Sequence, residues 1–259
     1  MKKQSIKKLY QESWNLLLKI KWYIVVAVGL FFLSFFIGFV FPIFYKTQIE
    51  FMIRSMMQLF EGLSMPQTIT KIFFNNLQAS FVTLVFGIAL GIMPLFAIFF
   101  NGYLGGFVGR MAAEIEGLSV LLRFIPHGIF ELTAIFISVG LAVYLANLFL
   151  KEICKIKKQK IRTIILVLAF LITTPINLHL NMNVAGTDLT TLVPSLSFYL
   201  LGIYNFLILT TVLIALYLSS KNKMMKEAIV KSLKVFGLII IPLLVIAAIV
   251  EGVLIGLGV

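Results

Sequence analysis

The sequence predicts an all-α fold: a polytopic bundle of about seven transmembrane helices, with amphipathic helices at its edges. Three observations carry this. Hydrophobic residues make up 61% of the 259 residues and charged residues only 12%, against roughly 45–50% and about 25% in soluble domains. The mean hydropathy of +1.07 exceeds what one soluble core of this length can bury, so the surplus faces lipid. Finally, 17 of the 22 Lys and Arg residues fall in three short stretches that flank apolar runs: 2–21, 151–162 and 220–234. This distribution explains the net charge of +12 as topology-setting cytoplasmic loops. No soluble basic domain remains for nucleic acid.

Taken in order, residues 1–21 read as a cytoplasmic amphipathic helix. Ile6, Tyr10, Trp14 and Leu17 form one face among six lysines, which suits an anionic leaflet. The first span is 22–45, opened by the interfacial Trp22 and Tyr23; it is too long for a cleavable signal, and no small-residue cleavage site comes after it. Residues 47–65 form an external amphipathic helix, with Ile49, Ile53, Met56, Phe60 and Leu63 on one face and Pro66 at its end. An apolar run over 72–100 comes next, and Asn101-Gly102 is a turn signal. The glycine-rich segment 103–122 carries Arg110, Glu114 and Glu116. Spans at 126–150, 163–180, 195–218 and 235–257 complete the chain, which reads as a single transmembrane domain over 1–259.

Charge parity decides the role of 103–122. If 2–21 and 151–162 are both cytoplasmic, an even number of crossings separates them, so 103–122 must cross; without it the count is six. Seven crossings put the N-terminus in the cytoplasm and the C-terminus outside. The stretch 220–234 then also falls on the cytoplasmic side. The small-xxx-small spacings among Gly102, Gly105, Gly106 and Gly109 predict close helix contact, within the chain or in a homodimer. Cys154 is the single cysteine, so no internal disulfide is possible; its juxtamembrane place allows palmitoylation, but a spectator thiol is the simpler reading.

Ionisable residues inside spans cost roughly 2.5–3.5 kcal/mol on insertion scales. His127, Glu131, His179 and Glu251 stand out, with Asn75, Asn76 and Asn101 as uncharged companions. Seven crossings place all but Asn101 at the outer face. His127 and Glu131, spaced i, i+4, share a helix face; Pro126 suits the first helical turn and Gly128 permits close backbone approach. Three uses compete. One is a polar network that fixes packing, its carboxylates capping helix ends or pairing with Arg110 or Arg123. Another is an ion or proton site in a transport path. The last is a metal site with His127, Glu131, His179 and Glu251 as ligands, a set that suits zinc, although no HExxH is present. Nucleophile-elbow, Walker and dinucleotide motifs are absent from the sequence, so neither an enzymatic activity nor a cofactor is expected.

The run NNLQASFVTLVFGIALGI at 75–92, then FFNGYLGGFVG at 99–109 and IPHGIFELTAI at 125–135, resembles the stage II sporulation protein M family. AAIVEG at 247–252 resembles that family's last span. The resemblance implies an integral membrane protein, usually not enzymatic, which in spore formers joins peptidoglycan-degrading partners. It points to Asn76, Asn101, Gly102, Pro126, His127, Gly128, Glu131 and Glu251. The sporulation protein is shorter, with about five spans, so 162–218 reads as an inserted helical pair carrying His179. The expected function is a membrane scaffold or assembly factor of the cell envelope, with other membrane or envelope proteins as partners. The alternative is a transporter or channel-like protein with an outer polar site.

Overall fold

The computed structural model describes residues 5–43, 46–58, 60–89, 92–154 and 222–256. Among them the protein is entirely helical. The expected spans at 163–180 and 195–218, the inserted pair at 162–218 and His179 all lie outside the described residues.

Helix α1 (Ile6–Val40) is continuous, so residues 6–21 are its first half rather than a separate helix. Its 35 residues extend roughly 52 Å at 1.5 Å per residue, far beyond a hydrocarbon core of about 30 Å. The lysine-rich half therefore projects past the apolar layer. The apolar face read as leaflet-facing stays outside the bundle at Ile6, Tyr10 and Trp14, which are exposed, while Ser13, Leu16 and Ile20 are buried. The tertiary partner, not the hydrophobic stripe alone, chose the inner face.

Helix α2 (Lys46–Gln58) turns its apolar side inward, burying Ile49 against Tyr103 and Phe107. Pro66 does not end this helix; it lies in the first turn of α3 (Met65–Ala89), where a missing N–H costs nothing. Ser64 precedes α3: its backbone N–H donates to the Gln67 side chain, one half of a capping box, and its hydroxyl donates to the same oxygen.

Helix α4 (Ile92–Glu116) corrects the expected turn at Asn101-Gly102. Both residues lie inside it. Asn101 donates its side-chain amide to the Ala97 carbonyl at 2.9 Å, and Gly102 serves helix packing. The chain leaves α3 after Ala89 instead, so the apolar run 72–100 is cut there and the next helix starts about ten residues earlier than 103. Pro94 belongs to the first turn of α4. The end of α4 is set by Gly117, whose positive φ of 82° suits a helix terminator. A 3₁₀ segment, Leu118–Phe124, leads into α5 (Ile125–Cys154), and an Arg123–Glu116 ion pair at 2.7 Å clamps this link.

After the undescribed segment, Asn222 caps α6 (Lys223–Val235) by accepting from the Met224 and Met225 N–H groups. One π turn, Phe236–Ile240, joins α6 to α7 (Ile241–Gly256). Pro242 supplies a reason for the wider turn: its ring clashes with the carbonyl four residues back in an α-helix, and the Ile241 N–H bonds to Phe236 O, five back.

Contacts establish the directions. Along α1 and α4, Phe31 meets Gly102, then Phe35 and Phe39 meet Gly106, so these helices run parallel. Against α5, Phe31 meets Phe136, Ile24 meets Gly140 and Tyr23 accepts from Asn147, an antiparallel pair. Helices α3 and α7 are antiparallel as well, Met65 lying by Gly256, Ile69 by Gly252 and Phe81 by Phe236. Glu12 of α1 pairs with Lys234 of α6 at 2.8 Å, so α1 and α6–α7 begin at the same end. Directions thus alternate through α1, α3, α4 and α5, and α7 runs with α1. The described lysines of 5–21, Lys151 and those of 223–234 gather at one end of the bundle. There, Lys19 also donates to the Tyr144 hydroxyl at 3.2 Å.

Among the described residues, four helical stretches are long and apolar enough to cross a membrane: Ile6–Val40, Pro94–Glu116, Leu118–Lys151 and Lys223–Gly256. The one built on α5 is central, with 61% of its apolar window buried against 22% for α1.

The closest seam joins α1 to α4. Cβ atoms added at Gly102 and Gly106 would collide with the Phe31 and Phe35 carbonyls, and one at Gly38 with the Tyr103 carbonyl. Ser34, fully buried there, satisfies its own hydroxyl by donating to Phe31 O at 2.9 Å. Small residues four apart on both helices, Ser34/Gly38 and Gly102/Gly106, permit backbone contact, the standard solution where lipid removes a hydrophobic drive. These glycines are consumed within the chain.

Replacing Gly106 by leucine should therefore destabilise the detergent-solubilised protein by about 1–3 kcal/mol or more, read as a lower thermal midpoint. Gly29→Leu should leave the midpoint nearly unchanged, because nothing lies within 4 Å of an added Cβ there.

Candidate functional site

The first two turns of α5 carry His127 and Glu131. Pro126 fits the helix start, needing no N–H partner at that point, and half-buried Gly128 comes two residues later; an added Cβ there would reach only Leu132 Cδ1, at 4.0 Å. The i, i+4 spacing puts both polar side chains on one face. Glu251 reaches them from the last third of α7.

Helix α7 comes close because its inner face is small: Ala247 and Ala248 are buried, and Cβ atoms at Gly252 and Gly256 would strike Ile69 and Met65 of α3. Gly252 was not picked out from the sequence, although Ala248, Gly252 and Gly256 repeat a small residue every fourth position. Ser34 and Gly38 of α1 were missed in the same way.

His127, Glu131 and Glu251 each offer one ligand atom, and these atoms all lie within 4.8 Å of one another. Asn76 of α3 lies beside the Glu131 carboxylate. Asn75, about 100° further round that helix, is exposed and turned away. Asn101 is exposed on α4, and Gly102 belongs to the α1–α4 seam. The site thus unites α3, α5 and α7 at the end of the bundle opposite the gathered lysines.

Charge compensation does not come from the arginines named as pairing candidates. Arg110 binds Glu114 at 2.7 Å and Arg123 binds Glu116. Among the described residues no lysine or arginine forms an ion pair with Glu131 or Glu251. Two ionised carboxylates within 4.8 Å repel by at least about 3.5 kcal/mol at an effective dielectric constant of ~20. A proton or a bound cation relieves that repulsion. The Nδ1 atom of His127 is buried with no hydrogen-bond partner, although its ring edge meets Phe124 at 6.4 Å between centroids. Buried polar atoms are normally satisfied, so this nitrogen stands out as a polar atom without a protein partner.

Comparison with known proteins adds family membership to this geometry. The stage II sporulation protein M family matches residues 26–177, more than half of the chain. The match takes in Asn76, His127 and Glu131, while Glu251 lies beyond it. No curated protein and no solved structure matches the chain. With helices long and apolar enough to cross a membrane, the chain belongs to the stage II sporulation protein M family of integral membrane proteins.

Proposed function

We propose that this protein is a multi-pass membrane scaffold or assembly factor of the cell envelope, without enzymatic activity. Family membership over residues 26–177 carries this reading. The glycine seams support it, because backbone-to-backbone contact makes a stiff platform for partners. Those partners would be other membrane or envelope proteins, or a second copy of this chain. The glycines of α4 are already used internally, so a homodimer would form on another face.

The proposal includes a topology of seven crossings, with the N-terminus cytoplasmic and the C-terminus outside. Alternating helix directions and the gathering of lysines at one end support it, since cytoplasmic flanks are enriched in Lys and Arg. Helix α3 and two crossings within 162–218 would complete the count. In a Cys154→Ser background, cysteines replacing Lys8 or Lys226 should react with an impermeant maleimide only from the cytoplasmic side. Cysteines replacing Glu61 or Leu118 should react only from the outside. Labelling of Lys8→Cys and Glu61→Cys from the same side would defeat this topology.

A second reading, a transporter or channel-like protein, is favoured by the membrane-embedded His127–Glu131–Glu251 cluster. Two measurements separate them. The scaffold reading expects a stable envelope partner after mild solubilisation and cross-linking, and liposomes containing the protein alone should show no ion or solute flux. Flux abolished by Glu131→Gln would favour transport instead.

A further inference from the structure

We propose that His127, Glu131 and Glu251 form a binding site for one divalent transition-metal ion of the zinc class. This does not rest on the scaffold reading. The first support is geometric. Three donors from two helices converge within 4.8 Å. A tetrahedral zinc with bonds of about 2.0–2.2 Å holds its ligand atoms roughly 3.3 Å apart, a contraction that side-chain rotation alone can supply. Asn76, beside Glu131, is placed to orient a ligand carboxylate in the way outer-shell partners do.

The second support is the state of the histidine. Its buried Nδ1 lacks a hydrogen-bond partner; as the unprotonated nitrogen of a neutral imidazole it would be the ligand atom of the proposed site. A proton shared between the two carboxylates would leave that atom unserved. One cation at the centre satisfies all three groups together.

Charge supplies the third support. Two carboxylates, a neutral imidazole and one divalent ion sum to zero, the least costly total inside an apolar layer. The donor set also selects the ion. Imidazole with few ligands favours zinc and its first-row neighbours, whereas calcium takes 6–8 oxygens and magnesium prefers octahedral oxygen. Three protein donors leave a fourth position for water or a donor from a partner. Bound there, the metal would pin α7 to the start of α5.

The full-length protein, purified in detergent without a histidine tag and stripped with chelator, is the material for the test, and zinc alone is the probe. Elemental analysis after reloading and desalting should find close to one zinc per chain. Cobalt substitution should give a visible absorption band that zinc abolishes. Glu131→Gln and Glu251→Gln should each weaken binding at least tenfold, while Glu114→Gln, a carboxylate paired with Arg110, should bind like the parent. Negligible zinc uptake by the parent protein would overturn the site. So would folded Glu131→Gln and Glu251→Gln variants that keep full occupancy. If those variants do not fold, zinc stoichiometry and the cobalt band of the parent still decide: one equivalent with the band supports the site, and neither overturns it.

Discussion

Close approach of α1 and α4 is the contact on which the rest of the bundle depends. Between helices surrounded by lipid there is no hydrophobic gain to drive association, so packing must come from van der Waals contact at short range. Gly102 and Gly106 facing Ser34 and Gly38 remove the side chains that would hold the backbones apart. The serine incurs no polar penalty because its hydroxyl closes on its own helix. With α4 locked parallel to α1, the short 3₁₀ link returns the chain antiparallel, and α5 drops into the centre.

That central position makes the polar cluster possible. Helix α5 packs on α1 through Gly140 and Phe136 and presents its opposite face to α3 and α7. Helix α7 reaches α3 through Gly252 and Gly256, which brings Glu251 beside Glu131. Glycine therefore acts twice: it sets a helix pair, and at a distance it sets which ionisable groups can meet. At the other end, Glu12–Lys234 and Lys19–Tyr144 tie the lysine-rich ends together. The bundle is polarised, with cationic flanks at one end and a carboxylate–imidazole cluster near the other.

A membrane interior sharpens the consequences. Carboxylates left in an apolar layer require compensation, and the nearby arginines are committed to Glu114 and Glu116. The same scarcity of counter-charges that keeps a helix insertable turns a three-residue cluster into a strong demand for a proton or a cation.

Much of this was legible in the residues themselves. Composition and the three basic stretches determined a helical membrane protein, because lipid-facing surface and interfacial lysines depend on transfer energy and not on the partner helix. The i, i+4 spacing of His127 and Glu131 fixed their common face, since helix geometry is local. Other features needed the tertiary structure. Asn101-Gly102 has the chemistry of a turn, yet glycine also serves close packing, and only the presence of α1 decides between the two uses. Pro94, in the first turn of α4, was the better signal for a helix start in that run. The inner face of residues 6–21 was likewise chosen by α5 and α6, which bury Leu16 and Ile20 and leave Trp14 outside. Asn75 and Asn76 are equivalent as letters; the 100° step between them and the position of α5 leave only Asn76 at the cluster. The meeting of Glu251 with Glu131 joins residues 120 positions apart, a distance no local pattern spans, and it was decided by the glycine contacts that draw α7 inward.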